Sequence, residues 1–239
     1  MTRALITGGN SGIGEALVRQ LVSAGWQVEF TFCRNEEQAR AVSKATGAAP
    51  VRYDQASAES VAQLAVRIRG GEFDALINNA AQPARRQLLL KTDAEYFVAY
   101  QVTALRGTFE LCTAFAEQAK RHERGGSIVN VLTSATLGMP PAKLATYVTS
   151  KHAMLGLTRS MAVEFIRYHI RVNAVSPGMT KTAFNAELPE RFVEQVEEGL
   201  PMGRQATPEE VAGVICFLLS EQASYINGAN IPVTGGQAC

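Results

Sequence analysis

The sequence predicts a doubly wound α/β fold, in which helices cover both faces of a seven-stranded parallel sheet. Short aliphatic and β-branched runs alternate with longer stretches of helical periodicity along the chain. A glycine-rich turn from Gly8 to Gly14 joins the first apolar run to the first helical stretch. Hydrophobic residues are 46% and charged residues 19% of the 239 residues, a composition typical of a globular chain with a sizeable core.

Seven apolar runs are predicted to form the strands. They are residues 4–7, 28–32, 49–53, 75–78, 127–132, 171–175 and 231–233. Six stretches between them are predicted to form helices. They are residues 12–24, 36–45, 57–69, 94–121, 145–167 and 208–220. Since strands and helices alternate strictly and no linker or repeat interrupts them, we expect one domain over residues 1–239.

The last predicted helix has the clearest start, because Thr207 supplies an N-cap hydroxyl and Pro208 occupies the first turn. Before it, an irregular stretch from Pro177 to about residue 188 leads into a Glu-rich segment of helical character. Long irregular stretches within a compact domain are usually functional. We therefore expect a substrate loop around residues 179–204.

Charge and cysteine usage exclude several classes of protein. The 23 Lys and Arg and 22 Asp and Glu give a formal charge of +1, so the chain lacks the basic character of a nucleic-acid or anionic-membrane binder. The N-terminal apolar run is too short for a signal sequence or membrane span. The cysteines form no C-x-x-C pair, and the histidines are too dispersed for a metal-ligand pattern. We expect a cytoplasmic protein with no metal, and reduced thiols in the core apart from a loose terminal Cys239. These cysteines are Cys33, Cys112, Cys216 and Cys239.

The turn after the first strand is the candidate phosphate-binding site. Its glycines let the backbone approach a pyrophosphate, and the following helix presents unpaired N–H groups at the positive end of its dipole. Glycine clusters also form ordinary tight turns, but the position in an alternating chain favours a dinucleotide site. The residues predicted to bind the cofactor here are Gly8, Asn10, Ser11, Gly12, Ile13 and Gly14.

The end of the second strand predicts which dinucleotide binds. An NAD site has a carboxylate there, on the 2′-hydroxyl of the adenosine ribose. This chain has Arg34 and no acid before Glu36, which favours the 2′-phosphate of NADP(H); the alternative is that Arg34 is a solvated loop charge. Asp54 follows the third strand, where a carboxylate can meet the adenine amino group. Asn79 and Ala80 follow the fourth strand and are predicted to lie beside the cofactor.

The candidate catalytic pair is Tyr147 and Lys151, which share one face of a helix because they are four residues apart. A lysine cation near a phenol favours the phenolate, so Lys151 is expected to lower the pKa of Tyr147. Ser134 lies after the fifth strand, 13 residues before Tyr147, and a loop of that length can return the chain beside it.

Together these features resemble the classical short-chain dehydrogenase/reductase family over essentially the whole chain. The resemblance implies a Rossmann-type fold and hydride transfer between a nicotinamide and a carbonyl or alcohol carbon. Two segments, Leu200-Pro-Met-Gly-Arg204 and Thr207-Pro-Glu-Glu-Val-Ala212, are similar to 3-oxoacyl-(acyl carrier protein) reductases. The motifs that carry the resemblance are the T-G-x-x-x-G-x-G turn at Thr7 to Gly14, Asn78-Asn79-Ala80, Ser134, Tyr147 with Lys151, Asn173 before Pro177-Gly178, and Gly235-Gly236.

The resemblance also implies the role of each site residue. Tyr147 would be the acid and base, Lys151 would lower its pKa and hold the nicotinamide ribose, and Ser134 would orient the substrate oxygen. Thr182 would contact the nicotinamide carboxamide. The further cofactor contacts implied are Tyr147, Lys151, Pro177, Gly178 and Thr180.

Two positions depart from the family pattern. The chain has Ala104 where the family usually has an asparagine that kinks its helix and holds a water linking the lysine to solvent. Ala81 replaces a glycine in the turn after the fourth strand. The first change puts the proton relay in doubt and leaves the hydride chemistry in place.

The resemblance implies that the two long helices, 94–121 and 145–167, form a four-helix interface in a homodimer or homotetramer; the alternative is that their extra apolar residues face the sheet. Four arginines near the ends of these elements would form a basic patch for an acidic acyl carrier protein, or else are scattered solvated charges. They are Arg121, Arg124, Arg167 and Arg171.

The sequence therefore predicts an NADPH-dependent reductase that converts a ketone, such as a 3-oxoacyl thioester, to a secondary alcohol. Two alternatives remain open: a reversible dehydrogenase of a free small-molecule alcohol, and a non-catalytic NADP(H)-binding regulatory subunit. Apolar pocket walls favour an acyl or ring-bearing ketone over a sugar. The wall residues are Leu137, Met139, Leu144, Met179, Phe184 and Leu188.

Overall fold

A computed structural model describes residues 2–182 and 190–237. The described strands form one seven-stranded sheet in the order β3-β2-β1-β4-β5-β6-β7. All of its neighbouring strands run parallel. Both the predicted fold class and the number of strands are confirmed. The order reverses between β1 and β4, which is where folds of this class bind their ligands, outside the carboxyl ends of the strands.

The strands are β1 Arg3–Ile6, β2 Gln27–Phe32, β3 Ala49–Arg52, β4 Ala75–Asn78, β5 Gly126–Val131, β6 Ile170–Pro177 and β7 Asn230–Val233. The helices are α1 Gly12–Ser23, α2 Glu36–Thr46, α3 Ala58–Gly70, α4 Ala94–His122, α5 Ala145–Phe165, α6 Glu190–Glu198 and α7 Pro208–Leu219. Residues 134–136 and 166–168 form short 3₁₀ turns.

Hydrophobic side chains fill both faces of the sheet because alternate strand residues point to opposite sides. One core contains Ile6 and Phe30 with buried residues of α1, α2 and α7. The other contains Leu5 and Leu76 with buried residues of α3, α4 and α5. Burial on both faces explains why the predicted strands are nearly continuous apolar runs.

The predicted boundaries differ from the structure by more than one residue in two elements, β6 and α5. Strand β6 extends to Pro177 because it continues to pair with β7 as far as Val233. Helix α5 ends at Phe165, since a 3₁₀ turn follows and His169 adopts a left-handed conformation with φ of 58°. The Glu-rich segment before α7 forms α6, and Thr207 and Glu210 make the reciprocal bonds of a capping box at α7.

The cysteines differ from the expected core thiols in one case. Cys112 is buried and Cys216 partly buried, but Cys33 is exposed at the tip of β2. All three are free thiols, and Cys239 lies outside the described residues, as do Phe184 and Leu188 of the predicted pocket wall. Among the helices described, none is sufficiently long and apolar to cross a membrane.

Candidate active site

The glycine turn between β1 and α1 brings its backbone segments together too closely for side chains. A Cβ on Gly14 would lie 2.0 Å from the carbonyl oxygen of Gly8, and one on Gly9 would lie 2.4 Å from the Cβ of Phe30. Gly8 and Gly12 have φ of +68° and +53°, which glycine adopts without strain. The N-cap residue of α1, Ser11, makes no side-chain cap bond, so the first N–H groups of this helix remain available to an anion.

Asn79 ties this turn to the end of β4. Its side-chain amide donates to the carbonyl oxygens of Thr7 and Gly8, each at 3.0 Å. In return, the Thr7 hydroxyl accepts hydrogen bonds from the backbone N–H groups of Asn79, at 2.9 Å, and Ala80, at 3.0 Å. The amide of Asn79 is therefore used to shape the cradle, a role that the residue's position alone did not reveal.

The tip of β2 lies against the same turn. The Asn10 side chain donates to the carbonyl oxygen of Asn35 at 3.4 Å, and the Asn35 side chain caps α2 by accepting from the Gln38 N–H at 3.0 Å. Arg34, the residue before Asn35, is exposed, and Asp54 is exposed after the end of β3. These positions agree with a dinucleotide site whose adenosine end lies over β2 and β3.

Tyr147 and Lys151 lie on the first turns of α5 and face the end of β5. The Lys151 ammonium lies 5.8 Å from the centre of the Tyr147 ring and donates to the carbonyl oxygen of Val131 at 2.8 Å. Lys151 is 5% exposed, so its cation is almost fully removed from water. The sequence prediction that both side chains share one face is confirmed by this geometry.

Burial controls the protonation of both groups. It lowers the pKa of Lys151 to about 8, because an ammonium is costly to bury. It also raises the pKa of Tyr147, with a hydrogen bond from Thr133 acting in the opposite direction. A net lowering of the phenol pKa was expected from the nearby Lys151, but the net shift is upward because desolvation is the largest effect. Tyr147 is a neutral phenol at neutral pH and can donate a proton.

Thr133 is a site residue that the sequence reasoning missed. Its hydroxyl hydrogen-bonds the Tyr147 phenol, and it precedes the predicted Ser134. Ser134 begins the 3₁₀ turn after β5, and within the described residues its hydroxyl has no hydrogen-bond partner, so it is available to a ligand. The Thr-Ser pair after a buried strand was the only signal that could have pointed to Thr133.

The segment after β6, from Gly178 to Thr182, lies beside the glycine turn. The Gly178 N–H donates to the carbonyl oxygen of Val233 at 2.9 Å, and the Thr180 hydroxyl donates to that of Gly178 at 3.1 Å. Thr180 is buried, so it shapes this loop from within. Thr182 reaches the glycine turn, where a Cβ on Gly12 would lie 2.9 Å from the Thr182 methyl group.

Other amides surround Ala104, the position where the family usually has asparagine. Ala104 is buried in α4, and the Gln55 side chain donates to its carbonyl oxygen at 3.4 Å and to that of Thr103 at 3.2 Å. One turn earlier, the Gln101 amide donates to the carbonyl oxygen of Thr146 at 2.9 Å. Within the described chain, the buried Oε1 atom of Gln101 has no hydrogen-bond partner.

The cradle, the open helix N-terminus and the Tyr147–Lys151 pair fit a nicotinamide dinucleotide. A family model described as enoyl-(acyl carrier protein) reductase matches residues 8–238. A solved structure described as a short chain dehydrogenase/reductase family protein is 34% identical, covers 98% of this chain and 96% of its own, and superposes with a TM-score of 0.88. The chain belongs to the short-chain dehydrogenase/reductase family.

Two further comparisons characterise this short-chain dehydrogenase/reductase. It is 33% identical over 234 residues to the 3-oxoacyl-[acyl-carrier-protein] reductase MabA of Mycobacterium tuberculosis (strain ATCC 25618 / H37Rv), covering 97% of this chain and 91% of that protein. The structure of BdcA in complex with NADPH is 29% identical, with a TM-score of 0.87 and coverage of 99% and 94%. The chain is therefore an oxidoreductase of a family that binds NAD(P)(H).

Proposed function

We propose that this short-chain reductase uses NADPH to reduce a ketone, such as a 3-oxoacyl thioester, to a secondary alcohol. The observation that supports it most directly is the neutral phenol of Tyr147, which lies beside the buried Lys151. The Ser134 hydroxyl, which has no hydrogen-bond partner among the described residues, follows a strand at the same edge of the sheet as the glycine turn. A carbonyl oxygen needs a proton when its carbon is reduced, and a neutral phenol supplies it.

The chemistry follows from these residues. When bound, the nicotinamide supplies a hydride to the carbonyl carbon. Ser134 donates a hydrogen bond that orients the carbonyl oxygen, and Tyr147 transfers its proton to that oxygen as the C=O bond becomes a C–O–H group. The Lys151 cation stabilises the phenolate that remains, because opposite charges in a buried site attract strongly. Lys151 and Tyr147 also bind the nicotinamide ribose in this proposal.

The preference for NADPH is supported by the tip of β2. Arg34 is exposed there, and the first acid after the strand, Glu36, is held by Arg40 at 2.6 Å. A guanidinium matches the geometry of the 2′-phosphate of NADPH, whereas the ribose of NADH offers it no negative charge. BdcA, which is similar to this chain, was solved with NADPH.

A thioester ketone is supported by the walls of the site and by the relatives. Leu137, Leu144 and Met179 are partly buried beside it, while Met139 is 96% exposed at the rim, so an apolar chain fits better than a sugar. The MabA relative is a reductase of 3-oxoacyl groups on acyl carrier protein. The segment 179–204, which includes α6 and of which residues 183–189 lie outside the described residues, is proposed to cover the substrate.

The arginines proposed for carrier-protein binding are not equally free. Arg124 pairs with Asp74 at 2.7 Å and with Glu72 at 3.3 Å. Arg171 donates to backbone carbonyl oxygens, including that of Leu218 at 2.8 Å. A docking patch on this surface would therefore depend mainly on Arg121 and Arg167.

A second copy of the chain is proposed to cover the outer face of α4 and α5. A groove of about 670 Å³ runs between these helices and is lined mostly by apolar side chains, among them Val102, Leu105, Phe109 and Leu157. Phe109 is 52% exposed in the single chain. Large exposed apolar surfaces on one face are typical of interfaces, so we propose a homodimer or homotetramer. We place the protein in the cytoplasm, where its free thiols stay reduced.

The decisive experiment is incubation of the purified protein with NADPH and a panel of ketones, 3-oxoacyl-CoA thioesters and their carrier-protein forms, with NADPH consumption as the readout. We expect reduction of at least one 3-oxoacyl thioester. Activity only with free alcohols and NADP⁺ would favour the dehydrogenase alternative. Tight NADPH binding without turnover on any substrate would favour a non-catalytic regulatory subunit.

A further inference from the structure

The tip of the edge strand β3 carries a second arginine beside the predicted 2′-phosphate site. We propose that Arg52 binds the 2′-phosphate together with Arg34 and so helps to determine the choice between NADPH and NADH. This inference rests on the proposed NADPH preference and names a residue that has no place in the site described above.

The register of the sheet places Arg52 close to the β2 tip. Arg52 is the Cα partner of Phe32, on adjacent parallel strands that lie about 5 Å apart. Arg34 follows Phe32 by two residues in the bend that ends β2, so its Cα lies no more than about 7 Å from that of Phe32. Two side chains as long as arginine that start this close together can reach the same phosphate group.

Arg52 also lies on the face of the sheet that carries the glycine turn. Register partners on parallel strands point to the same side, and Phe32 belongs to the core that includes α1 and α2. The neighbours of Arg52, Val51 and Tyr53, pack into the opposite core. The glycine turn also lies on the first face, since a Cβ on Gly9 would meet Phe30, two residues before Phe32.

Both guanidinium groups are exposed and without an anionic partner. Within residues 2–182 and 190–237, no ion pair or side-chain hydrogen bond engages Arg34 or Arg52. The nearby acids have other contacts: Glu36 pairs with Arg40 at 2.6 Å, and Asp54 accepts from the Ala56 N–H at 2.9 Å. Two unpaired cations on neighbouring strand tips repel each other, and a dianionic phosphate between them relieves that repulsion.

The chemistry of the 2′-phosphate suits two guanidinium groups. A phosphate monoester presents three acceptor oxygens and carries up to two negative charges, while one guanidinium occupies two oxygens at most. A second arginine therefore adds affinity only for the phosphorylated ribose. The 2′-hydroxyl of NADH is uncharged and does not attract the Arg52 guanidinium. Arg52 would therefore raise the affinity for NADPH relative to NADH and leave the hydride chemistry unchanged.

The test is a binding measurement on the full-length protein by isothermal titration calorimetry. The probes are adenosine 2′,5′-bisphosphate and 5′-AMP, which differ only in the 2′-phosphate. The variants are Arg52→Ala, Arg34→Ala and, as a control, Arg69→Ala, a partly exposed arginine on α3 that is paired with Glu117. Circular dichroism melts check that each variant is folded.

We expect Arg52→Ala to weaken binding of the bisphosphate about tenfold and to change binding of 5′-AMP by less than about twofold. Arg34→Ala should do the same, and Arg69→Ala should match wild type. If Arg34→Ala weakens the bisphosphate but Arg52→Ala does not, the role of Arg52 is overturned and the NADPH proposal stands. Equal weakening of both probes by Arg52→Ala overturns the role as well. If wild type binds the two probes equally, the NADPH proposal itself fails.

Discussion

The Lys151 ammonium donates a hydrogen bond to the carbonyl oxygen of Val131 at 2.8 Å, which ties α5 to the strand that leads into the site. Within the described residues, this bond engages one of the three donors of a cation that is 5% exposed. The other two donors can bind oxygen atoms of a ligand, such as ribose hydroxyls. Desolvation of the ammonium lowers its pKa to about 8. The site therefore holds a cation at a cost in stability.

That cost predicts how stability depends on pH. Between about pH 8 and the ordinary value of 10.5, the unfolded chain binds more protons at this lysine than the folded one does. Stability contributed by Lys151 therefore rises with pH across this window. We expect the free energy of unfolding of wild type, relative to Lys151→Met, to increase from pH 7.5 to pH 10, by at most about 3 kcal/mol.

Urea unfolding of both proteins across that pH range measures this difference. The comparison cancels the titration of groups common to both proteins, including the buried tyrosines Tyr53 and Tyr100. A stability difference that stays constant from pH 7.5 to pH 10 would show that the native pKa of Lys151 is not lowered.

The Tyr147 hydroxyl is predicted to carry the proton transfer. Tyr147→Phe removes one hydroxyl and its hydrogen bond with Thr133 and leaves the ring in place. We expect thioester reduction to fall by about 10²–10⁴-fold, the usual contribution of general acid catalysis. NADPH binding, followed by cofactor fluorescence, should weaken by less than about tenfold, because only one hydrogen bond to the ribose is lost.

Tyr100→Phe is the matched control for this prediction. Tyr100 is also a buried phenol near the site, but its hydroxyl donates to the carbonyl oxygen of Gln82 at 2.9 Å and holds the loop before α4. Its loss should reduce turnover by less than about tenfold, below the range of acid catalysis. Retention of more than half of the wild-type rate in Tyr147→Phe would exclude Tyr147 as the acid.

The sequence predicts those parts of the site that depend on where strands end. Parallel strands bring their carboxyl ends to one edge, so the glycine turn, Arg34, Asn79 and Ser134 were predicted to lie there once the strands were identified. The four-residue spacing of Tyr147 and Lys151 likewise predicts a shared helix face. These inferences need only local periodicity.

The rest depends on packing between segments far apart in the chain. Gln55 reaches the carbonyl oxygen of Ala104 across 49 residues of sequence, and Gln101 reaches that of Thr146 across 45. No pattern of neighbouring residues predicts such long-range contacts. The sequence also predicted a lowered pKa for Tyr147, whereas the net shift is upward. That direction depends on how completely surrounding residues remove water from the phenol.

The groove between α4 and α5 predicts the oligomeric state. Phe109→Asp places a carboxylate in the apolar centre of the proposed interface, and we expect it to convert the wild-type oligomer to monomers in light scattering after size exclusion. Val66→Asp is the control, since Val66 is 64% exposed on α3, outside the groove. Identical masses for wild type and Phe109→Asp would contradict the assignment of this face.

The final prediction concerns Ala104, which is 7% exposed and lies one turn after Gln101 on α4. Without an amide at position 104 to fix water beside Lys151, proton return to Tyr147 must use another route, and we expect wild-type ketone reduction to show a solvent isotope effect. Ala104→Asn should raise turnover or reduce that effect, because it restores an amide at this buried position. The larger side chain also overpacks α4, so a loss of about 1–3 kcal/mol in unfolding free energy is expected beside the kinetic change. Unchanged turnover and isotope effect in a folded Ala104→Asn protein would show that proton return does not limit this enzyme.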